Sequence, residues 1–579
     1  MIVYRDQRTT ADPRHLLRQL SLAANHAGVS APNHDDALEL VIETGVLEAA
    51  VSDALFPEHD GIHPMAQSLR QASVQAGHVF WHTWNGRSQE ARRWGERLAS
   101  SLRDVPEFQL PPSVEVSVPE GYAYYAVYPE TYLEAARRFY NQTGPSDVLC
   151  LGLRSIGTSL SAVVAAALEE LGCRVRTFTL RPRGHPFSRR PSVSSELAAR
   201  IRERSDSYAL LIDEGPGISG SSLAGTAAML QAWGHKDDHI VLFPSWETDG
   251  AGLASEEARR QWPLHPQLTC SFEEVWVSSG RLSEAFPGDL RDLSAGAWRE
   301  EVYRDTTAYP AVHPQHERRK YLLMSAAQET KLLSFAGLGH RALQKKERLE
   351  RVAEAGFTVR PERLVHGFLL RRFVPGTPMS TGLVDGELVE RAAAYLAYLC
   401  REHATEPSVT DASLRELVSV NVAEGLQNPM EVTLSRALPV SGWVERPVAL
   451  DGRMLIHEWI RTPQGFIKVD AMDHHDDHFF PGCQDIAWDV AGTAFELDLD
   501  PQGRAHLVDR YRRLSGDRGI ARRLPHYAIA YLSFRLGYST LAASVLDQTA
   551  DGARFNHQAR RYARLLTSEL EAPPARWSD

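Results

Sequence analysis

Residues 209–223 read ALLIDEGPGISGSSL, and this stretch limits the possible folds most sharply. The apolar run Ala209-Leu210-Leu211-Ile212 has the composition of a strand buried on both faces, which calls for a parallel sheet covered by helices. It ends in Asp213 and Glu214, passes through a glycine- and serine-rich turn from Gly215 to Ser222, and continues as an amphipathic helical pattern over Leu223–Trp233. Small residues let a backbone wrap an anion, and the helix that follows supplies free N–H groups and the positive end of its dipole. Two acids beside such a turn lie where the hydroxyls of a sugar carrying that phosphate would be. The segment predicts a ribose 5-phosphate site, with Asp213 and Glu214 for the diol and Gly217, Ile218, Ser219, Gly220, Ser221 and Ser222 for the phosphate. An ordinary strand–turn–helix would carry the same residues.

The surrounding chain supports an α/β reading. Residues 1–115 have helical periodicity, as in Ala37–Val51, and Pro111-Pro112 with Val114–Val118 mark a boundary. From 116 to 300 strands alternate with helices: Asp147–Leu153, Leu160–Leu171, Arg174–Leu180, Ala209–Ile212 and Ile240–Phe243. Such alternation predicts a parallel sheet with its ligands at the carboxyl ends of the strands.

The acid pair and its loop resemble the diphosphoribose-binding signature of type I phosphoribosyltransferases, with one extra residue between acids and loop and Gly215-Pro216-Gly217 in place of an aliphatic pair. Three further segments stand in the order that this family has. Gly152, Arg154, Ser155, Ile156 and Gly157 are similar to its pyrophosphate loop. The basic run holding Arg181, Arg183, His185 and Arg189 is similar to its flexible lid, which neutralises departing pyrophosphate. Trp246, after the next strand, stands at the edge that faces the acceptor base, where it either stacks on a ring or serves the structure. The resemblance implies transfer of ribose phosphate from 5-phosphoribosyl diphosphate (PRPP), with Mg²⁺ and Asp213 and Glu214 as catalytic acids.

Residues 301–579 change character. Strand patterns at Tyr321–Ser325 and Lys331–Phe335 precede a charged helix over Arg341–Ala355, then a strand and turn over Gly367–Gly376, then a mostly helical region with a hairpin-like stretch near 450–480. Asp451, Asp470 and Asp489 stand on a loop, at a strand end and on a helix. This spacing resembles aminoglycoside- and choline-type phosphotransferases of the protein-kinase fold over roughly residues 310–570. The resemblance implies an N-lobe over 301–378 and a C-lobe over 379–579, ATP and Mg²⁺, Asp451 as catalytic base near the acceptor hydroxyl, Asp470 as metal ligand and Asp489 as the brace of the catalytic loop. It makes Arg371 to Gly376 the hinge against adenine, with Arg372, Phe373 and Val374 at the nucleotide, and Lys320 or Lys331 the phosphate lysine. No His-Gly precedes Asp451, and His457 stands for the metal-binding asparagine with one residue inserted. The run Asp473–His478 reads as a solvated polar loop or, less simply, a zinc loop.

Composition narrows the function classes. A formal net charge of -11 argues against nucleic acid or an anionic membrane as main partner. No apolar run is long enough to span a bilayer, and the start MIVYRDQRTT has no signal-peptide core. The 5 scattered cysteines read as reduced thiols of a cytoplasmic protein. The expectation is a bifunctional α/β enzyme with a helical N-terminal region, a parallel-sheet phosphoribosyltransferase domain and a two-lobed α+β kinase-like domain. It would serve the making or salvage of a nucleoside-like metabolite. Two other readings stay open: a PRPP or nucleotide sensor with an inactive kinase-like domain, and a small-molecule kinase with a non-catalytic PRPP-binding scaffold.

Overall fold

The structure, a computed structural model, describes residues 1–579 except 6, 326–328, 429, 472–473, 480–481, 572–576 and 578–579. It divides into two units, one of Gln7–Pro287 with Gly337–Ala342 and one of Met1–Asp6, Gly288–Ala336 and Leu343–Asp579.

The first unit begins with four helices, α1 (Pro13–Val29), α2 (His34–Leu55), α3 (Pro64–Trp84) and α4 (Ser88–Arg103). Helix α2 starts at a capping box in which Asn33 and Asp36 each accept the other's backbone N–H. The parallel sheet follows: β1 (Asp147–Leu153), β2 (Arg174–Leu180), β3 (Tyr208–Ile212) and β4 (Ile240–Phe243), in the order β2-β1-β3-β4. Between the strands lie α5 (Pro129–Thr143, before β1), α6 (Gly157–Glu170), α7 (Ser195–Arg202) and α8 (Ser221–Ala232). Leu149, Leu151, Leu211 and Leu242 from the strands and Leu223, Ala227 and Leu230 from α8 form one buried core. The strands β1, β3 and β4 are buried over nearly their whole length, as in a sheet covered on both faces, whereas the edge strand β2 is only partly buried.

The sequence reading divides residues 1–115 from 116–300. In the structure both stretches lie within one unit. The reason is close helix packing. A Cβ on Gly45 of α2 would lie 2.6 Å from Ser159 Cβ, and one on Gly77 of α3 would lie 2.6 Å from the Ala162 carbonyl oxygen of α6. Helices that approach through glycine cannot be parted without exposing the apolar face of α6.

The second unit opens on an antiparallel sheet of β5 (Asp289–Asp292), β6 (Lys320–Met324), β7 (Thr330–Phe335), β8 (Pro361–Val365) and β9 (Phe368–Arg372), in the order β8-β9-β7-β6-β5. The unit begins at Gly288 rather than 301, because β5 pairs with β6. Helix α9 (His340–Glu354) lies between β7 and β8 in the chain. A smaller sheet joins β10 (Thr377–Pro378) to the hairpin β11 (Trp459–Thr462) and β12 (Gly465–Lys468). Helices α10 (Gly386–Glu402), α11 (Asp411–Gly425), α12 (Ala487–Glu496), α13 (Pro501–Ser515), α14 (Ile520–Val545) and α15 (Ala550–Glu571) make up most of the rest. Helix α12 is buried along its whole length.

Candidate functional site

In the first unit, the loops after β1, β2, β3 and β4 all leave the carboxyl ends of parallel strands, on one edge of the sheet. The strand order reverses direction between β1 and β3, which is where α/β sheets open a ligand crevice. The backbone there is packed to its limit. A Cβ on Gly152 would lie 2.4 Å from the Gly157 carbonyl oxygen, and one on Gly157 would lie 2.6 Å from that of Ile212. Glycine at both positions lets the loop after β1 and the start of α6 close against β3.

Asp213 and Glu214 stand half-buried at the end of β3. The Tyr132 hydroxyl donates to the Asp213 carbonyl at 2.7 Å, and the Ser245 backbone N–H donates to those of Glu214 and Gly215. Burial pushes the Asp213 carboxyl up to about 6 against the pull of Arg181 and Arg189. Burial and then the Asp213 charge push Glu214 up to about 8. The pair carries close to one negative charge at neutral pH, so one carboxyl donates and the other accepts, which suits a diol. After them the chain passes Gly217 and Gly220, both at positive φ, into α8, whose N-cap is Gly220. The Ser221 N–H donates to Ser219 Oγ at 3.3 Å, and the Ser221 hydroxyl, 3.1 Å from that oxygen, donates to the Pro186 carbonyl at 2.7 Å. Gly217 and Ile218 are exposed, and Ser222 lies half-buried at the helix start.

The arginines are placed differently from the sequence reading. The buried guanidinium of Arg154, expected at pyrophosphate, donates to Asp53 at 2.8 Å, to Asp60 and to the Thr179 carbonyl. The lid is not wholly free. Arg181 pairs with Asp53, and Arg183 pairs with Asp60 at 3.3 Å. Burial opposes ionisation of Asp53, but Arg181 and Arg154 outweigh it and hold its carboxyl below the usual range. Asp53 and Asp60 lie about a hundred residues earlier in the chain, and no local pattern announced them. Arg189 is the exposed lid arginine, its charge directed at Asp213. His185 is exposed, with its ring 5.6 Å from that of Phe187. Ser155 is exposed and Ile156 buried, and Trp246 is 46% exposed after β4.

In the second unit, Asp489 on α12 accepts the N–H groups of Asp451 at 2.8 Å and Gly452 at 2.9 Å. Burial and then the Asp451 charge raise its carboxyl to about 8. Asp451 itself is fully buried: one oxygen meets the Tyr395 hydroxyl at 2.8 Å and the Lys468 ammonium at 2.8 Å. The carboxylate expected to face an acceptor hydroxyl is thus held in an internal ion pair. Burial opposes both charges, but the Asp451–Lys468 attraction holds Asp451 ionised and Lys468 protonated. Lys468 also reaches Glu458 at 2.7 Å. Its signal in the sequence was the strand period: Phe466 and Lys468 share the inward face of β12.

The metal position is also different. Ligand atoms of Glu458, Asp470 and His474 converge within 4.8 Å, while His457 lies against Trp298 with ring centroids 6.0 Å apart. Burial takes the His457 ring down to about 3. Glu458, one residue further on than His457, is the residue of the two whose ligand atom lies near Asp470 and His474. Asp470 keeps a half-exposed side chain, and its carboxyl is held well below the usual range because His474, Lys468 and Arg318 outweigh desolvation. Asp470 and Glu458 are oxygen donors of the kind Mg²⁺ takes, and Mg²⁺ completes its shell with water. His474, His475 and Asp477 are buried rather than solvated, with His474 Nδ1 3.3 Å from Asp477 and Arg348 2.9 Å from His475; Asp473 lies outside the described residues.

Both expected lysines are held in ion pairs. Lys320 pairs with Glu317 at 3.0 Å and Lys331 with Glu362 at 2.7 Å. Arg371 on β9, the first residue of the expected hinge, donates to the Val469 carbonyl at 3.1 Å, and the Asp470 charge acts on it. Arg372 is exposed, Phe373 half-buried and Val374 buried in the segment that leaves β9.

No protein-family model matches the chain, and no curated protein does. Among solved structures it is similar to a choline kinase from Streptococcus pneumoniae, at 13% identity over 50% of this chain and 98% of that one, with a TM-score of 0.32. It is similar to a choline/ethanolamine kinase family protein from Mesorhizobium loti, at 12% identity over 51% and 95%, with a TM-score of 0.34. A macrolide 2'-phosphotransferase from Brachybacterium faecium gives 14% identity over 51% and 98%, with a TM-score of 0.31. At such TM-scores none of the three carries an assignment of activity or residues.

Proposed function

We propose that this chain is a transferase of phosphorylated small molecules with two sites: a PRPP site in the first unit and a kinase-like site for ATP with Mg²⁺ in the second. The observation that carries the first part is the acid pair followed by a serine-lined helix start with glycine at its N-cap, at the crevice where the parallel sheet changes direction. In this reading the loop from Gly217 to Ser222 binds the 5-phosphate and Asp213 with Glu214 grips the ribose diol. Breaking the bond between the anomeric carbon and pyrophosphate builds positive charge on the ribose, which the acid pair opposes. Negative charge builds on the leaving group, which Arg189 is placed to meet. Titration calorimetry with PRPP, followed by pyrophosphate release with a panel of bases, tests it. Absence of PRPP binding, or binding unchanged in Asp213→Asn with Glu214→Gln, overturns it.

For the second unit, support comes from the open Asp470 carboxylate with Glu458 beside it and Arg371 nearby. Asp470 and Glu458 would hold Mg²⁺, which screens phosphate charge. For Asp451 to take a proton from an acceptor hydroxyl, Lys468 must first leave it, and the phosphates of ATP give that ammonium another partner. The closed Asp451–Lys468 pair favours a second reading, nucleotide binding without transfer. Calorimetry with Mg-ATP and an assay for ADP over a panel of hydroxyl-bearing small molecules separate the two. Binding with ADP formation supports transfer, binding alone supports the second reading, and no binding removes both.

A further inference from the structure

Helix α3 carries His78 and His82 one turn apart, and α6 ends in Glu169 and Glu170 against them. His78 Nδ1 lies 2.8 Å from Glu170 Oε1, and His82 Nε2 lies 3.1 Å from the same oxygen. The other nitrogen of His78 lies 2.8 Å from Glu169 Oε2. Both histidines are buried, each 3% exposed. Ligand atoms of His78, His82 and Glu170 all fall within 4.8 Å of one another. Four groups that titrate or ligate are thus drawn together at a helix–helix joint in which no residue serves the sites described above.

We propose that His78 Nδ1, His82 Nε2 and Glu170 form a zinc site with three protein ligands and one open position. Two histidines four apart on a helix present both rings to one point, and a carboxylate from another element completes a common set for Zn²⁺. Metal–ligand bonds of about 2.0–2.2 Å in a tetrahedron place ligand atoms a little over 3 Å apart, so the present spacing needs only a slight opening. Glu169 fills the outer role: it accepts from the far nitrogen of His78 and so points the near lone pair at the metal. Trp94 stacks on the His78 ring at 3.8 Å between centroids and 4° between planes, which fixes the ring orientation. A cavity of about 530 Å³ is lined by His78, Trp94 and Glu169 together with Arg70, Arg154 and Arg200. It supplies an entry path and room for a fourth ligand such as water. In the sequence the spacing was visible as HVFWH, but Glu170 lies 88 residues beyond His82.

The test uses the full-length protein, stripped with a chelator, in an Asp470→Ala and Glu43→Gln background. That background silences the two other clusters among the described residues that could take a cation, Glu458 with Asp470 and His474 and Glu39 with Glu43 and His340. Zn²⁺ is titrated by calorimetry, and Co²⁺ is titrated with its visible d–d absorption as reporter. One equivalent should bind, with the Co²⁺ spectrum of a low-coordinate ion. His82→Gln and Glu170→Gln should each abolish that equivalent. Glu169→Gln should weaken it about 10–100-fold while circular dichroism stays unchanged. Absence of binding in the background protein, or affinity unaltered in Glu169→Gln, overturns the proposal even where the ligand variants fail to fold. The cluster is then a proton-bridged ion-pair network only.

Discussion

Replacing Glu214 by glutamine should flatten the pH dependence of stability and make the protein more stable above neutral pH. Burial and the neighbouring Asp213 charge move the Glu214 carboxyl from an ordinary 4.5 up to about 8. The unfolded chain releases this proton near 4.5 and the folded chain near 8, so between those values the folded state binds more protons. Stability therefore falls as pH rises through that window, and the loss is complete above the folded value. At about 1.4 kcal/mol per pH unit, the full displacement sets a ceiling of about 5 kcal/mol. The side chain is half-buried and shares its field with Asp213, so solvent screening brings the expected effect to about 1–2 kcal/mol. Glutamine cannot ionise and removes this slope. The smaller slope from Asp213, between 3.8 and about 6, remains. Urea melts at about pH 4, 7 and 9 measure it: wild type and variant should be close at the lowest pH and diverge at the highest. Parallel curves would mean that Glu214 ionises as in free solution and that the pair shares no proton.

Other consequences follow from the same geometry. Arg154→Ala leaves the buried Asp60 short of a partner and should cost about 3–5 kcal/mol, whereas the exposed Arg189→Ala should stay within about 0.5 kcal/mol while weakening PRPP binding; equal losses in denaturant melts would contradict this contrast. Asp489→Asn cannot accept both loop N–H groups, so it should lose about 1–3 kcal/mol, and an unchanged urea midpoint would show that the loop needs no brace. Asp470→Ala should abolish calorimetric Mg-ATP binding with little change in melting temperature, because the carboxylate is half-exposed; retained binding would move the metal position elsewhere.

Reading the chain alone located what depends on neighbours in sequence. The apolar run at 209–212, the acids after it and the glycines that open the turn are local patterns, and the strand over Tyr208–Ile212 and helix over Ser221–Ala232 lie where that pattern puts them. The same holds for Arg174–Leu180 and Ile240–Phe243, since periodicity and turn residues act within a few positions. What tertiary structure decided was the partner of each charge. Arg154 and Arg181 look like phosphate ligands until Asp53 and Asp60 are folded against them. Asp451 looks like an open base until β12 turns Lys468 inward, and His457 looks like a ligand until the loop carries Glu458 to Asp470 instead. A buried charge must find an opposite charge or a donor, and the one it finds is set by packing rather than by spacing along the chain.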